Sequence, residues 1–124
     1  MWAELVELLT VVETWAFARQ ADEIWSDEER AAFIYFIAAN PEAGAVIPGT
    51  GGIRKVRWSI EGRGKRGGAR VIYFFYKRNA PIYLLMVYSK NIRENLSQQE
   101  KKQLRQEAAK IRRTIVGHRE GRPQ

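Results

Sequence analysis

Seven basic side chains fall within seventeen positions: Arg54, Lys55, Arg57, Arg63, Lys65, Arg66 and Arg70, opposed only by Glu61. Like charges at that density repel one another, so the cluster costs stability unless an anion is expected among them. Phosphate suits the set. Arginine offers a planar fork for bidentate binding, and lysine offers a compact charge able to exchange a proton. Lys55 and Arg57 stand two apart in an alternating stretch, which puts them on one face of a strand. Arg70 opens the next apolar run, and antiparallel pairing across the intervening loop can bring it beside them. Tyr73, Tyr76 and Tyr83 read as core residues. Tyr88 nears a strand end beside Lys90, where a base could stack.

Other chemistries are harder to build from this chain. Gly62-Arg63-Gly64-Lys65-Arg66-Gly67 matches GxGxxG in letters, but that fingerprint needs a following helix to receive a pyrophosphate, and here a strand follows. No Ser or Thr follows the lysine, so the Walker loop is excluded as well. The segment reads instead as a basic loop whose glycines let backbone approach a phosphate closely. His118 is the sole histidine and lies in the basic tail, which rules out two-imidazole catalysis. With no cysteine, neither a disulfide framework nor a thiolate metal site can form. The acids of residues 22–29 fall in helix turns, where capping accounts for them, so neither a metal nor a cofactor is expected.

The elements that must hold these side chains follow from periodicity. Leu8 to Glu13 reads as a strand. Thr14 caps a helix carrying Phe17, Ala21, Ile24 and Trp25 on one face, and Ser26 to Glu29 is a capping box opening a second helix. That helix turns Phe33, Phe36 and Ile37 inward and stops at Asn40-Pro41. Gly44 to Gly52 reads as a loop. Ile53 to Ile60 alternates, with Arg54, Val56, Trp58 and Ile60 on one face and Ile53, Lys55, Arg57 and Ser59 on the other. Arg70 to Lys77 and Ile82 to Ser89 are nearly continuous apolar runs, as in central strands, joined around Arg78 to Pro81. Ser97 to Glu100 caps a last helix with Leu104, Ala108, Ile111 and Ile115 on one face and Gly117 at its end. The expected fold is α+β: an N-terminal helical hairpin on a small antiparallel sheet of about four strands, with a C-terminal helix, the helices covering one side.

One domain over 1–124 is expected, with 1–10 as an N-terminal extension and 117–124 as a flexible tail. The start carries Glu4 and Glu7 and no basic segment, so neither a signal peptide nor a membrane span is expected, and a cytoplasmic location fits. The net charge of +7 is unevenly placed. Residues 1–50 hold two basic and nine acidic side chains, a balance of −7; residues 51–124 hold 19 and 5, a balance of +14. That asymmetry fits a surface that meets a polyanion.

Asn40-Pro41-Glu42-Ala43-Gly44, Val46-Ile47-Pro48-Gly49-Thr50-Gly51-Gly52, Arg54-Lys55-Val56-Arg57-Trp58, the Gly62–Gly68 loop, Arg70-Val71-Ile72-Tyr73 and Val87-Tyr88-Ser89-Lys90-Asn91 come in that order. Together they resemble HigB-like toxins of the RelE/ParE superfamily, from about Val11 to Ile115. The resemblance implies the toxin of a type II toxin–antitoxin system: a metal-independent endoribonuclease that cleaves mRNA, typically on the ribosome. It further implies silencing by a HigA-like helix-turn-helix antitoxin, through which alone the toxin would meet operator DNA. By motif, Lys55 and Arg57 match the paired basic residues of the second strand and Arg70 the arginine opening the third. Lys90 lies near the basic position after the fourth, where RelE has an arginine and a tyrosine but Asn91 and Arg93 follow here.

The implied reaction is attack of a ribose 2′-OH on its own 3′-phosphate. Lys55 would take the proton, provided that Arg54, Arg57 and Arg70 disfavour its charged form; Arg57 and Arg70 would bind the phosphate, and Lys90 would assist the leaving oxygen. Arg54, Arg63, Lys65, Arg66, Tyr88 and Arg93 would contact RNA. Two other readings share the fold: a ParE-like inhibitor of DNA gyrase without catalysis, and an RNA-binding module without turnover. A gyrase binder needs no such cationic cluster, and mapping new 5′ ends of messages separates cleavage from binding.

Overall fold

The computed structural model describes residues 5–59 and 68–120, with side chains to 117. The capping residues open the helices as their chemistry dictates. The Thr14 Oγ1 accepts from the Phe17 N–H and starts α1 (Trp15–Ile24); its own hydroxyl donates to the Leu84 carbonyl at 2.8 Å, tying the helix to the sheet. Ser26 and Glu29 form the full capping box of α2 (Asp27–Ala39), with three acids in its first turn, and Asn40 closes it.

The sheet holds five strands: β1 (Val11–Glu13), β2 (Ala45–Val46), β3 (Ile53–Trp58), β4 (Ala69–Phe75) and β5 (Ile82–Ser89), in the order β1-β5-β4-β3-β2. Two features depart from the expectation of about four antiparallel strands. β1 runs parallel to β5, with the two hairpin helices carrying the chain from β1 at one sheet edge to β2 at the other, and the segment after Gly44 pairs briefly with β3 before it loops. The first strand is also shorter than expected, starting at Val11 and not Leu8.

The helices cover both faces, not one. Phe17, Ala21, Trp25, Phe33 and Ile37 of the hairpin pack on Val56, Val71, Tyr73, Leu84 and Val87. Leu104, Ala108 and Ile111 of α3 (Gln98–Glu120) pack on Ile53, Ile72, Phe74 and Leu85 from the other side. This explains why β4 is buried along almost its whole length. On the hairpin side the rings of Phe33 and Trp58 meet edge to face at 5.4 Å, and truncating a core ring such as Phe33 costs about 3–5 kcal/mol. α3 opens with the Ser97–Glu100 box and continues past Gly117, where the expected stop is absent.

β5 contains one irregularity. Ile72 pairs with Met86 and Tyr73 with Leu84, so Leu85 is an extra residue, a β-bulge. Beyond the end of β1 the Val87 N–H has no strand neighbour, and the Gln20 side chain of α1 accepts from it at 2.9 Å. Among the described residues before β1, Glu7 pairs with Arg78 and the Leu9 N–H donates to the Ala38 carbonyl. No helix among the described residues is long and apolar enough to cross a membrane.

Candidate functional site

The pleat of β3 divides the cluster as its alternation predicts. Ile53, Lys55 and Arg57 point to the α3 side, while Val56 and Trp58 point to the hairpin. Antiparallel pairing then sets Arg57 directly opposite Arg70, and Arg70 opposite Tyr88, in one row across three strands; Lys55 stands in the adjacent row, opposite Ile72. Two arginines in direct register repel, so this arrangement needs a counter-charge.

Glu94 provides it. Arg70 is buried, 5% exposed, and donates from Nε and Nη2 to the two oxygens of the Glu94 carboxylate, each at 2.8 Å. This parallel fork is how a guanidinium holds either a carboxylate or a phosphate. The hydrogen bonds from Arg70, then the charges of Arg70, Lys55 and Arg57, hold the Glu94 carboxyl below its ordinary value, so it stays ionised. Lys55 is half-buried and its Nζ donates to Asn95 Oδ1 at 3.3 Å; Arg57 is exposed. Lys55, Asn95, Leu96, Ile47 and Lys101 line a depression of about 60 Å³. Lys90 is exposed and lies across from Gly68, where the basic loop joins β4; its backbone N–H donates to the Gly68 carbonyl at 3.2 Å and its methylenes lie over that glycine.

Three expected RNA contacts sit elsewhere or are occupied. Arg54 is on the hairpin side of β3, where its guanidinium donates to the Gly44 carbonyl at 2.6 Å and serves the β2 edge. Tyr88 is buried, with its hydroxyl donating to the Glu94 carbonyl and the Arg93 guanidinium 4.6 Å over its ring, so it is no open stacking platform; burial pushes its hydroxyl up. Arg93 is itself paired with Glu100 at 2.6 Å. That hydrogen bond raises Arg93 and lowers Glu100, the same carboxylate that caps α3. Arg63, Lys65 and Arg66 lie outside the described residues.

The residues that sequence reasoning missed are therefore Glu94, Asn95 and Glu100. The one signal was a lone acid directly after the basic stretch Lys90-Asn91-Ile92-Arg93, which any solvated turn also shows. Chemically, the face is an anion seat: three cations, one carboxylate already seated, and no imidazole among the described side chains around it. No three His, Cys, Asp or Glu side chains gather to hold a metal ion among the described residues.

A free-state structure of the E. coli toxin RelE carrying two arginine-to-alanine substitutions is similar at 14% identity and TM-score 0.48, over 64% of this chain and 81% of that one. A family described as "RelE toxin of RelE / RelB toxin-antitoxin system" matches residues 37–116, more than half of the chain and the stretch that carries Lys55, Arg57, Arg70 and Glu94. The chain belongs to this family of RelE toxins.

Proposed function

We propose that the chain is an mRNA-cleaving toxin of the HigB type. It acts on message, most effectively on the ribosome, and is silenced by a helix-turn-helix antitoxin that alone brings it to operator DNA; its place of action is the cytoplasm. One observation carries this reading: Lys55, Arg57 and Arg70 share a face on adjacent strands, and the buried Arg70 grips a carboxylate with the fork it would offer a phosphate. In this reading the scissile phosphate displaces Glu94, which sits on an exposed loop position. Arg70 and Arg57 then stabilise charge on the phosphoryl oxygens. Lys55 takes the 2′-OH proton as the oxygen attacks phosphorus, the bond to the 5′-oxygen breaks, and Lys90 protonates that oxygen, leaving a 2′,3′-cyclic phosphate. No metal takes part.

Mapping 5′ ends of cellular messages after brief induction tests the proposal. New ends inside translated regions are expected for the parent and loss of most of them for Lys55→Ala; cleavage of ribosome-bound message at the parental rate by that variant removes Lys55 from the mechanism. No new ends, together with inhibited gyrase supercoiling, overturns the reading as a whole.

A further inference from the structure

We propose that the RNA strand continues from the Lys55 site along a cationic groove between the first turns of α3 and the Pro48-Gly49 turn, held through its phosphates by Lys101, Lys102 and Arg105. This rests on RNA being the substrate. The depression at Lys55 is bounded on its far side by Lys101, and Lys101 also lines a neighbouring groove of about 540 Å³ with Lys102 and Arg105. The two hollows therefore adjoin at Lys101. No carboxylate lines either of them.

The charge on α3 is sorted by face. Its acids Glu100 and Glu107 line a different groove, against Trp15 and Gln20 of α1, and Glu100 is committed to Arg93 and to the Ser97 N–H. Among the described residues neither Lys101 nor Lys102 has a carboxylate partner. The opposite wall is fixed: Arg105 donates to the Gly49 carbonyl at 3.0 Å and Arg112 to the Gly51 carbonyl. Gly49 and Gly51 both have positive φ, a conformation that glycine adopts without strain.

The occupant follows from the lining. Cations spread along an exposed path do not converge on a single small anion, and the large groove offers no aromatic anchor of the kind protein partners use. A strand with regularly spaced phosphates fits both facts.

The test uses a fluorescent, non-cleavable 2′-O-methyl RNA of about twelve nucleotides, within the range of single-strand site sizes, titrated at several salt concentrations. Lys101→Gln/Lys102→Gln should flatten the salt slope of log affinity by about 1.4, two contacts at about 0.7 each. Lys110→Gln/Arg113→Gln removes the same charge from exposed positions that line neither hollow, and should change the slope far less. Equal effects of the two pairs, or an unchanged slope for the first, overturns the groove. The end mapping above reads separately: cleavage without a slope change rejects the groove alone, and a slope change without cleavage rejects the nuclease alone.

Discussion

Tyr73→Phe removes one oxygen atom from a fully buried polar contact on the hairpin face of the sheet, behind the site. Tyr73 is fully buried; its hydroxyl donates to the Pro41 carbonyl at 2.8 Å and accepts from the Gly44 N–H at 2.8 Å. Phenylalanine leaves both backbone groups without a partner, and each orphan costs about 1–3 kcal/mol, so about 2–6 kcal/mol in all. Unfolding entropy of about 2.1 cal/mol/K per residue gives about 0.26 kcal/mol/K for this chain, so Tm should fall by about 8–23 °C. Burial also pushes the Tyr73 hydroxyl above its ordinary value. The parent therefore keeps its full stability below about pH 10, and loses it as pH rises from there toward the raised folded value, because the unfolded chain ionises first. Phenylalanine has no such loss, so the gap between the two proteins should narrow at alkaline pH. Denaturant melts across pH 7–11 measure both effects. A Tm within about 2 °C of the parent, with parallel alkaline curves, refutes the reasoning, since the Gly44 and Pro41 groups would then have found water.

Two further perturbations probe the same region and its neighbour. Gly44→Ala places a Cβ 2.8 Å from the Lys55 carbonyl oxygen and 2.9 Å from the Tyr73 ring, so calorimetry should record a loss of about 1–3 kcal/mol from overpacking; an unchanged Tm means the strand edge yields freely. Glu94→Gln removes a carboxylate seated among Lys55, Arg57 and Arg70, so non-cleavable RNA should bind more tightly, with a salt slope steeper by about 0.7; weaker binding would show that Glu94 supports the ligand and does not stand in for it.

The parts of this molecule legible in the sequence are those governed by local rules. Thr14, Ser26 and Ser97 each cap a helix, because a hydroxyl before an apolar-periodic run has few other uses. Strict alternation placed Lys55 and Arg57 on one face, and hairpin logic brought Arg70 opposite Arg57. What depends on distant partners was not legible. A two-residue strand such as Ala45–Val46 carries no pattern, and nothing in Val11–Glu13 says whether its neighbour runs parallel or antiparallel. The same limit hid the site's anion. Glu94 matters because α3 crosses to the far face and returns its preceding loop over Arg70, which no spacing rule encodes. Tyr88 was misplaced for the converse reason: Arg93, five residues on, folds back to lie over its ring.

The parallel edge has a kinetic consequence. Among the described strands β1 pairs only with β5, and the Thr14 hydroxyl meets the Leu84 carbonyl across 70 residues of chain. As the polypeptide emerges from the ribosome, both hairpin helices and an unmatched strand must wait until Ile82–Ser89 has been delivered. Contacts of such long range form slowly. The anion seat comes later still, since Glu94 and α3 follow β5, so whatever this face does is withheld until α3 has been made.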